Sequence, residues 1–310
     1  MIHPATAALL VDAALGEPPA RLHPTVWMGR AAVVFDRLGH RAGSRGSRRL
    51  VGLVAAISVP GVSYALTSVL VRHTPRTLRP GVEAGLVSST ISMRGLAAGA
   101  LAVERALAAK DLGAARMRAG KIVGRDTGDL LETELARAAV ESVAENTSDG
   151  VVAPMLYAAV LGAPGAMAYR AVNTMDSMLG YRRGVYEDLG LAPARIDDLA
   201  NLVPSRLTAL ATIAVSGSPV RAAHVTRLYG GLHPSPNAGW AEAAFAGALH
   251  LSLGGESRYA GETRPGEVIG DGRRPQGGDI RRAVHLMRVA CAAIALTLSL
   301  LPLVRSVARG

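Results

Sequence analysis

The stretch from Leu50 to Val71, LVGLVAAISVPGVSYALTSVLV, carries no charged residue. An uncharged apolar run of about 20 residues is long enough for a helix to cross a bilayer. Its Pro60-Gly61 pair predicts a kink, which spanning helices tolerate where neighbours satisfy the freed backbone groups. A second such run covers 283–304, with Arg288 near one end, where its side chain can reach the polar boundary. Residues 84–103 are moderately apolar, while 151–169 and 204–217 are shorter or broken and read as partial or re-entrant spans. No stretch alternates with the period of a strand, so helix dominates the reading. The expectation is an all-α, polytopic helical integral membrane protein. It forms a single domain over 1–310, with polar loops and short helices on the cytoplasmic side. The rival is a soluble helical protein whose apolar helices are buried.

Between the apolar runs, the segment 129–146 predicts a helix capped by Asp129, with Glu132 at capping-box spacing. On a helical wheel Glu134, Glu141 and Glu145 share one face, opposite Leu135, Ala139 and Val143. The chain is expected to turn after Asn146. Residues 218–282 are rich in Gly, Pro and Arg and read as a polar excursion with one short helix, AGWAEAAFAGAL. No repeat or low-complexity tract interrupts the chain.

Charge adds an orientation. Arg37, Arg41, Arg45, Arg48 and Arg49 precede the first span, and Arg72, Arg76 and Arg79 follow it. A further basic cluster runs from Arg105 to Arg125. If 84–103 also crosses, the heavier clusters lie on one side, which the positive-inside rule makes cytoplasmic. The net charge is +10, and Lys110 and Lys121 are the only lysines. Arg forks onto phosphate and carboxylate, so an anionic ligand or membrane surface is one reading and an Arg-rich coding bias the other. Apolar residues make up 49% of the chain and aromatics only 4% of it, a composition of small side chains suited to close helix packing. The single cysteine, Cys291, excludes an intramolecular disulfide and a multi-cysteine metal site. The first residues lack a basic n-region and Asp12 interrupts their apolar run, so no cleavable signal is expected.

Common nucleotide signatures are absent. GAARMRAGKI (113–122) ends in Gly-Lys, but its spacing is too long for a phosphate loop and Ser or Thr is missing. No histidine pair has the spacing of a helical zinc motif. Asn146-Thr147-Ser148 fits a glycosylation sequon, which matters only in a secretory context. What remains is a set of acids and amides. In ESVAENTSDGVVAPMLYAAV (141–160), Glu141, Glu145 and Asp149 stand at the mouth of an apolar run, where unpaired charge costs several kcal/mol. Asn173 and Asp176, and Asp197 and Asn201, are spaced to share helical faces. Oxygen ligands of this kind suit magnesium. Each feature also has a plainer reading. Glu141 and Glu145 can be a solvated face partnered by Arg137, Asp197 and Asp198 can favour a helix N-terminus, and Asn173 can be a cap. Tyr157 and Tyr181 can serve packing, and Trp240 can simply anchor the helix that follows it.

Taken in order, LLVDAALGEPPARLHPTVWMGR (9–30), GRDT (124–127), ARAAVESVAENTSDGVVAPMLYA (136–158), AYRAVNTMDSMLGYR (168–182), ARIDDLANLVPSRLTA (194–209) and SPNAGWAEAAFAGAL (235–249) resemble the adenosylcobinamide-phosphate synthase (CobD/CbiB) family of cobalamin biosynthesis. The likeness runs from Leu9 to about Tyr259 and continues into a final hydrophobic helix. One departure is Glu17 in GEPP, where the family more usually has Asp; the carboxylate is kept.

The resemblance implies a multi-pass enzyme of the inner (cytoplasmic) membrane whose active site faces the cytoplasm. Its implied reaction joins the f propionate of adenosylcobyric acid to (R)-1-amino-2-propanol phosphate, or to the free amino alcohol, by an amide bond. ATP is the implied energy source, usually with magnesium, and the corrinoid is a substrate. Candidate catalytic residues are Glu141, Glu145, Asp149 and Asp176, of which Glu145, Asp149 and Asp176 are the candidate metal ligands. Candidate substrate contacts are Arg125, Asp126, Asn146, Asn173, Tyr181, Arg182, Asp197, Asp198, Asn201, Arg206, Asn237 and Trp240. Asn237 and Trp240, with Tyr181 and Arg182, are expected to line the corrin site, an aromatic covering its face and an amide meeting a peripheral group. Membrane lipid is an expected partner, other membrane-bound late-pathway enzymes and a second copy of the chain are further candidates, and no nucleic acid is expected. A membrane transporter, which would show inverted repeats and paired broken helices, and a non-catalytic scaffold are the alternatives.

Overall fold

In the computed structural model, residues 3–181, 183–259 and 262–307 are described. Arg182, expected at the corrin site, lies outside them. The described chain is a helical membrane protein. Four helical stretches are long and apolar enough to cross a bilayer: Arg45–His73, Arg79–Ala108, Glu132–Leu179 and Gly277–Leu300. The expected span at 204–217 is instead a helix of 14 residues, Leu202–Val215, short of the length a crossing needs. The chain divides into two compact units, each drawn from separated segments.

The first unit contains α1 (Pro4–Leu15), α2 (Pro24–Arg41), α3 (Arg45–His73), α4 (Arg79–Ser88), α8 (Ala153–Leu179), α9 (Tyr186–Leu189) and α10 (Leu191–Ala200). α3 starts on a Ser44–Ser47 capping box and remains one helix through Pro60, so the predicted kink does not break it. It packs on α8 with small residues. Gly52 lies so close to α9 that a Cβ there would sit 1.9 Å from the Leu189 carbonyl oxygen. Ala55 and Val59 continue the face into a core shared with Met28 and Ala32 of α2 and with Met167, Ala171, Met175 and Leu179 of α8. Such small-residue faces bring helix backbones together where lipid supplies no hydrophobic drive between helices. The buried Asp188 of α9 ties this corner to α3, accepting from Arg45 Nε at 2.9 Å and Arg49 Nε at 2.8 Å.

The second unit contains α5 (Met93–Ala108), α6 (Leu112–Ala119), α7 (Glu132–Thr147), a π-helical turn (Ser148–Val152), α11 (Leu202–Val215), α12 (Pro219–Tyr229), α13 (Ala238–Leu249) and α14 (Gly277–Val307) up to Leu296. α13 is at its centre: from Ala238 to Gly247 every residue but the half-buried Trp240 is buried. The stretch 218–282, read as a polar excursion with one helix, thus holds α12, α13 and the first turns of α14, and α13 is core, because its Ala side chains let α7, α11 and α12 close around it. Beyond α13 the chain forms short antiparallel pairs, Leu253–Gly254 (β1) with Val268–Ile269 (β4) and Ser257–Tyr259 (β2) with Glu262–Arg264 (β3). They are too short to show alternation in the sequence.

Two local expectations around α7 fail. The helix starts at Glu132 rather than behind Asp129, with the Leu131 N–H donating to Glu134 Oε2 at 3.0 Å. Nor does the chain turn after Asn146. Asn146 Nδ2 bonds back to the Ser142 carbonyl at 2.9 Å, and helical hydrogen bonding continues through the π turn into α8. The break comes later, at Gly162 (φ 71°, ψ −169°), a conformation that favours glycine, two residues ahead of Pro164.

Candidate active site

Each unit carries a buried polar cluster. In the first, α8 and α10 enclose Asp197. Asn201 Nδ2 donates to its Oδ2 at 3.0 Å and Asn173 Nδ2 to its Oδ1 at 3.4 Å. The expected pairing of Asp197 with Asn201 across one helical turn is therefore real. Tyr169 OH donates to Asn201 Oδ1 at 2.8 Å. The Tyr169 ring stacks on Tyr157 with centroids 4.9 Å apart, and Tyr157 OH donates to the Ala200 carbonyl at 3.0 Å. Asp197, Asn201 and Tyr169 are all nearly inaccessible. Burial pushes the Asp197 carboxyl up to about 7, and the neighbouring Asp176 pushes the same way, against the pull of the two amide donors. Asp198, beside it on α10, is half-buried.

The cluster extends to Arg170 and His23, which are not among the candidate site residues, and to Glu17 of the GEPP stretch. Arg170 Nη1 reaches Asn173 Oδ1 at 3.4 Å, while its Nε is buried without a hydrogen-bond partner. Arg170 also acts on Glu17, which sits in the loop between α1 and α2. His23 Nδ1 accepts from the Thr25 N–H at 3.3 Å, capping α2. That leaves Nε2 as the protonated nitrogen of the neutral ring, 3.5 Å from Glu17 Oε2. The hydrogen bond from His23 is the main reason the Glu17 carboxyl is held below its usual range.

The second cluster is centred on Glu141. Its carboxylate pairs with Arg125, receives the Gly254 N–H at 2.6 Å and lies 3.5 Å from Arg137 Nη1. Arg125 Nη1 donates to Ser257 Oγ at 2.6 Å, and Arg137 bonds the carbonyls of Gly254 and Glu256. The solvated-face reading of Glu141 is overturned: α7 is buried all round from Leu135 to Ala144, and Glu141 ties the strand segment to it. Glu145, by contrast, is exposed and Asp149 half-buried in the π turn; Asp126 is exposed too. Glu242 on α13 was not singled out in the sequence reading. It is buried, and burial, reinforced by Glu141 and Glu145, raises its carboxyl well above the usual range against the pull of Arg125 and Arg137. A lone acid in an Ala-rich helix was the signal available.

A third group fixes Arg206. Its Nη1 donates to Asn237 Oδ1 at 2.7 Å and to Ser205 Oγ at 3.0 Å, and its guanidinium lies 4.9 Å from the centre of the Trp240 ring. Asn237 and Trp240, expected to line the corrin site, both hold this arginine, which takes one face of the indole. Tyr181 belongs to the first unit, exposed and edge-on to Tyr186.

Of the three acids expected to share a metal, Asp176 belongs to the first unit and Glu145 and Asp149 to the second. Among the described residues no three His, Cys, Asp or Glu side chains gather as a metal cage.

The fold is that of a helical membrane protein, and each of its two units buries carboxylates among Arg, amide or hydroxyl partners. The chain belongs to the CobD/Cbib protein family, whose model matches residues 5–287. It is 40% identical over 291 residues to the cobalamin biosynthesis protein CobD of Mycobacterium tuberculosis, covering 93% of this chain and 91% of that one. The Rhodobacter capsulatus CobD is 39% identical over 307 residues, 97% of each chain, and the Salmonella typhi CbiB is 39% identical over 302 residues, 94% of each. No solved structure matches the chain. The protein acts in cobalamin biosynthesis.

Proposed function

We propose that the chain is the ligase implied by its sequence blocks, using ATP to join the f propionate of adenosylcobyric acid to (R)-1-amino-2-propanol phosphate or aminopropanol. The observation that carries the reading is Asp197, a carboxylate gripped by two amides at a protonation point of about 7. A general base works best when its pKa lies near the working pH. The propionate must first be activated, and phosphoryl transfer from ATP makes one oxygen a leaving group. The amine must then shed a proton as it attacks the acyl carbon. Asp197 receives that proton, phosphate leaves, and the balance is one amide, ADP and phosphate. Arg170, on the same helix as Asn173 and with its Nε buried and unpartnered, is suited to hold an anionic oxygen of the substrates. Magnesium is proposed as the nucleotide's companion ion and carries no step, because among the described residues no three His, Cys, Asp or Glu side chains gather around one point.

This reading places the protein in the cytoplasmic membrane with its site facing the cytoplasm, where ATP is found. Lipid and the two substrates are its proposed partners; assembly with itself or with other membrane-bound late-pathway enzymes is a further proposal. A transporter calls for paired broken helices, and among the described residues the interior break is the one at Gly162. The test is direct. Purified protein given adenosylcobyric acid, the amine, ATP and magnesium should release the amide and ADP in equal amounts, read by mass spectrometry. Absence of amide with either amine would end the ligase reading.

A further inference from the structure

At one end of α14 the second unit encloses a cavity of about 690 Å³, within the size range of small-molecule sites. Its polar wall is made of Ser216, Ser218, His250, Arg281, Arg282 and His285, and no acid lines it. The acids that hold the two arginines stand outside. Arg281 pairs with Glu104 of α5 at 2.8 Å through one terminal nitrogen, and Arg282 pairs with Asp279 at 2.7 Å. Their side chains remain 72% and 48% exposed, so both guanidiniums are positioned yet open to a ligand. His250 ends α13 in the left-handed region (φ 61°, ψ 45°), uncommon for a side chain of its size. That turn brings its Nε2 to 3.1 Å from Ser218 Oγ. The rest of the wall is apolar and includes Val215, Leu286 and Val289.

The location narrows the ligand. The apolar helix α11 ends at Val215, and Arg281, Arg282 and His285 occupy the early turns of a stretch long enough to cross the membrane. Basic residues followed by an apolar stretch mark the headgroup level of a bilayer. We propose that this cavity binds a phosphate ester on an apolar stem, the headgroup phosphate of an anionic phospholipid being the form available at that depth. Arg281, Arg282 and the histidines hold the phosphate, and Val289 lies against the stem. The site depends on the membrane placement of α14 and not on the amidation reading.

The experiment uses the full chain in nanodiscs of phosphatidylcholine, of phosphatidylcholine with phosphatidylglycerol, and of phosphatidylcholine with added inorganic phosphate. Retained lipid is read by native mass spectrometry and stability by thermal unfolding. Phosphatidylglycerol should remain bound and raise the melting midpoint by at least ~3 °C. His285→Glu, which brings a negative charge into the wall, and Val289→Trp, which fills the apolar side, should each abolish both effects. The two act by different means, so one that fails to fold leaves the other decisive. A shift with inorganic phosphate alone, lost in His285→Glu, would keep the phosphate site but make its source soluble and overturn the lipid assignment. No shift in any arm, or a phosphatidylglycerol shift unchanged in a folded variant, overturns the site.

Discussion

Asp197 and Glu141 are both buried carboxylates, and their surroundings predict opposite behaviour on mutation. Asp197 is gripped by neutral amides, so its charge is uncompensated and its proton is retained to about pH 7. Acting as a base it must be ionised, so kcat/KM should climb about tenfold per pH unit below 7 and level off above it. Asp197→Asn should cut turnover by at least ~100-fold and erase that limb of the profile. The linked stability has the reverse sense. The folded chain holds this proton more tightly than the unfolded one, so between the unfolded value near 3.8 and about 7 the group lowers stability as pH rises. A profile that keeps its limb in Asp197→Asn would remove Asp197 as the base. Glu141 instead neutralises Arg125 and Arg137 and accepts a backbone N–H. Removing one member of a buried ion pair costs about 3–5 kcal/mol, so Glu141→Gln should act mainly on the thermal midpoint. A lost turnover with an unmoved midpoint would return Glu141 to the chemistry. Spacing alone revealed the Asp197–Asn201 pair, because one helical turn joins them. The Glu17–His23 contact lies within one loop, and those of Glu17 with Arg170 and of Glu141 with Gly254 join residues far apart in sequence, so none left a periodic trace.

Small side chains set the positions of the helices. Gly52 on α3 and the Leu189 carbonyl at the end of α9 approach so closely that any Cβ collides with backbone rather than with a movable side-chain end. Gly52→Ala should therefore destabilise the chain by about 1–3 kcal/mol, measured as a lower thermal midpoint, although alanine is the better helix former. Gly61, on the same helix with open space around its Cα, is the control: Gly61→Ala should be neutral or mildly stabilising. Equal effects at both positions would show that helix propensity, not contact, governs α3. The long apolar runs of α3 and α14 were legible because length and lack of charge suffice to announce them. The π turn at Ser148–Val152 was not, since Asp149 and Gly150 resemble a loop until the buried Val151 and Val152 extend the helix. α13 is legible as a helix from its own Ala run, but the Gly-, Pro- and Arg-rich sequence around it hides that this helix is core.

For the chain as a whole, the charge flanking α3 and the lone cysteine together make its membrane orientation measurable. Five arginines, Arg37 to Arg49, stand before the span and three, Arg72 to Arg79, after it, so the α2–α3 connection should face the cytoplasm. Cys291 is buried within α14 and should react little with a membrane-impermeant maleimide, which gives a quiet background for introduced cysteines. Gly43 is exposed, with nothing within 4 Å of a built Cβ, and Arg76 is exposed past the other end of α3. In right-side-out cells or spheroplasts Arg76→Cys should label and Gly43→Cys should not, and inverted vesicles should exchange the two results. The arginine-rich end would then share a compartment with ATP, as the ligase reading requires of the site. Labelling of both positions from one side would mean that α3 does not cross. Opposite sides in the reverse order would leave the span intact and turn the arginine-rich end away from the cytoplasm, against the orientation that the flanking charge predicts.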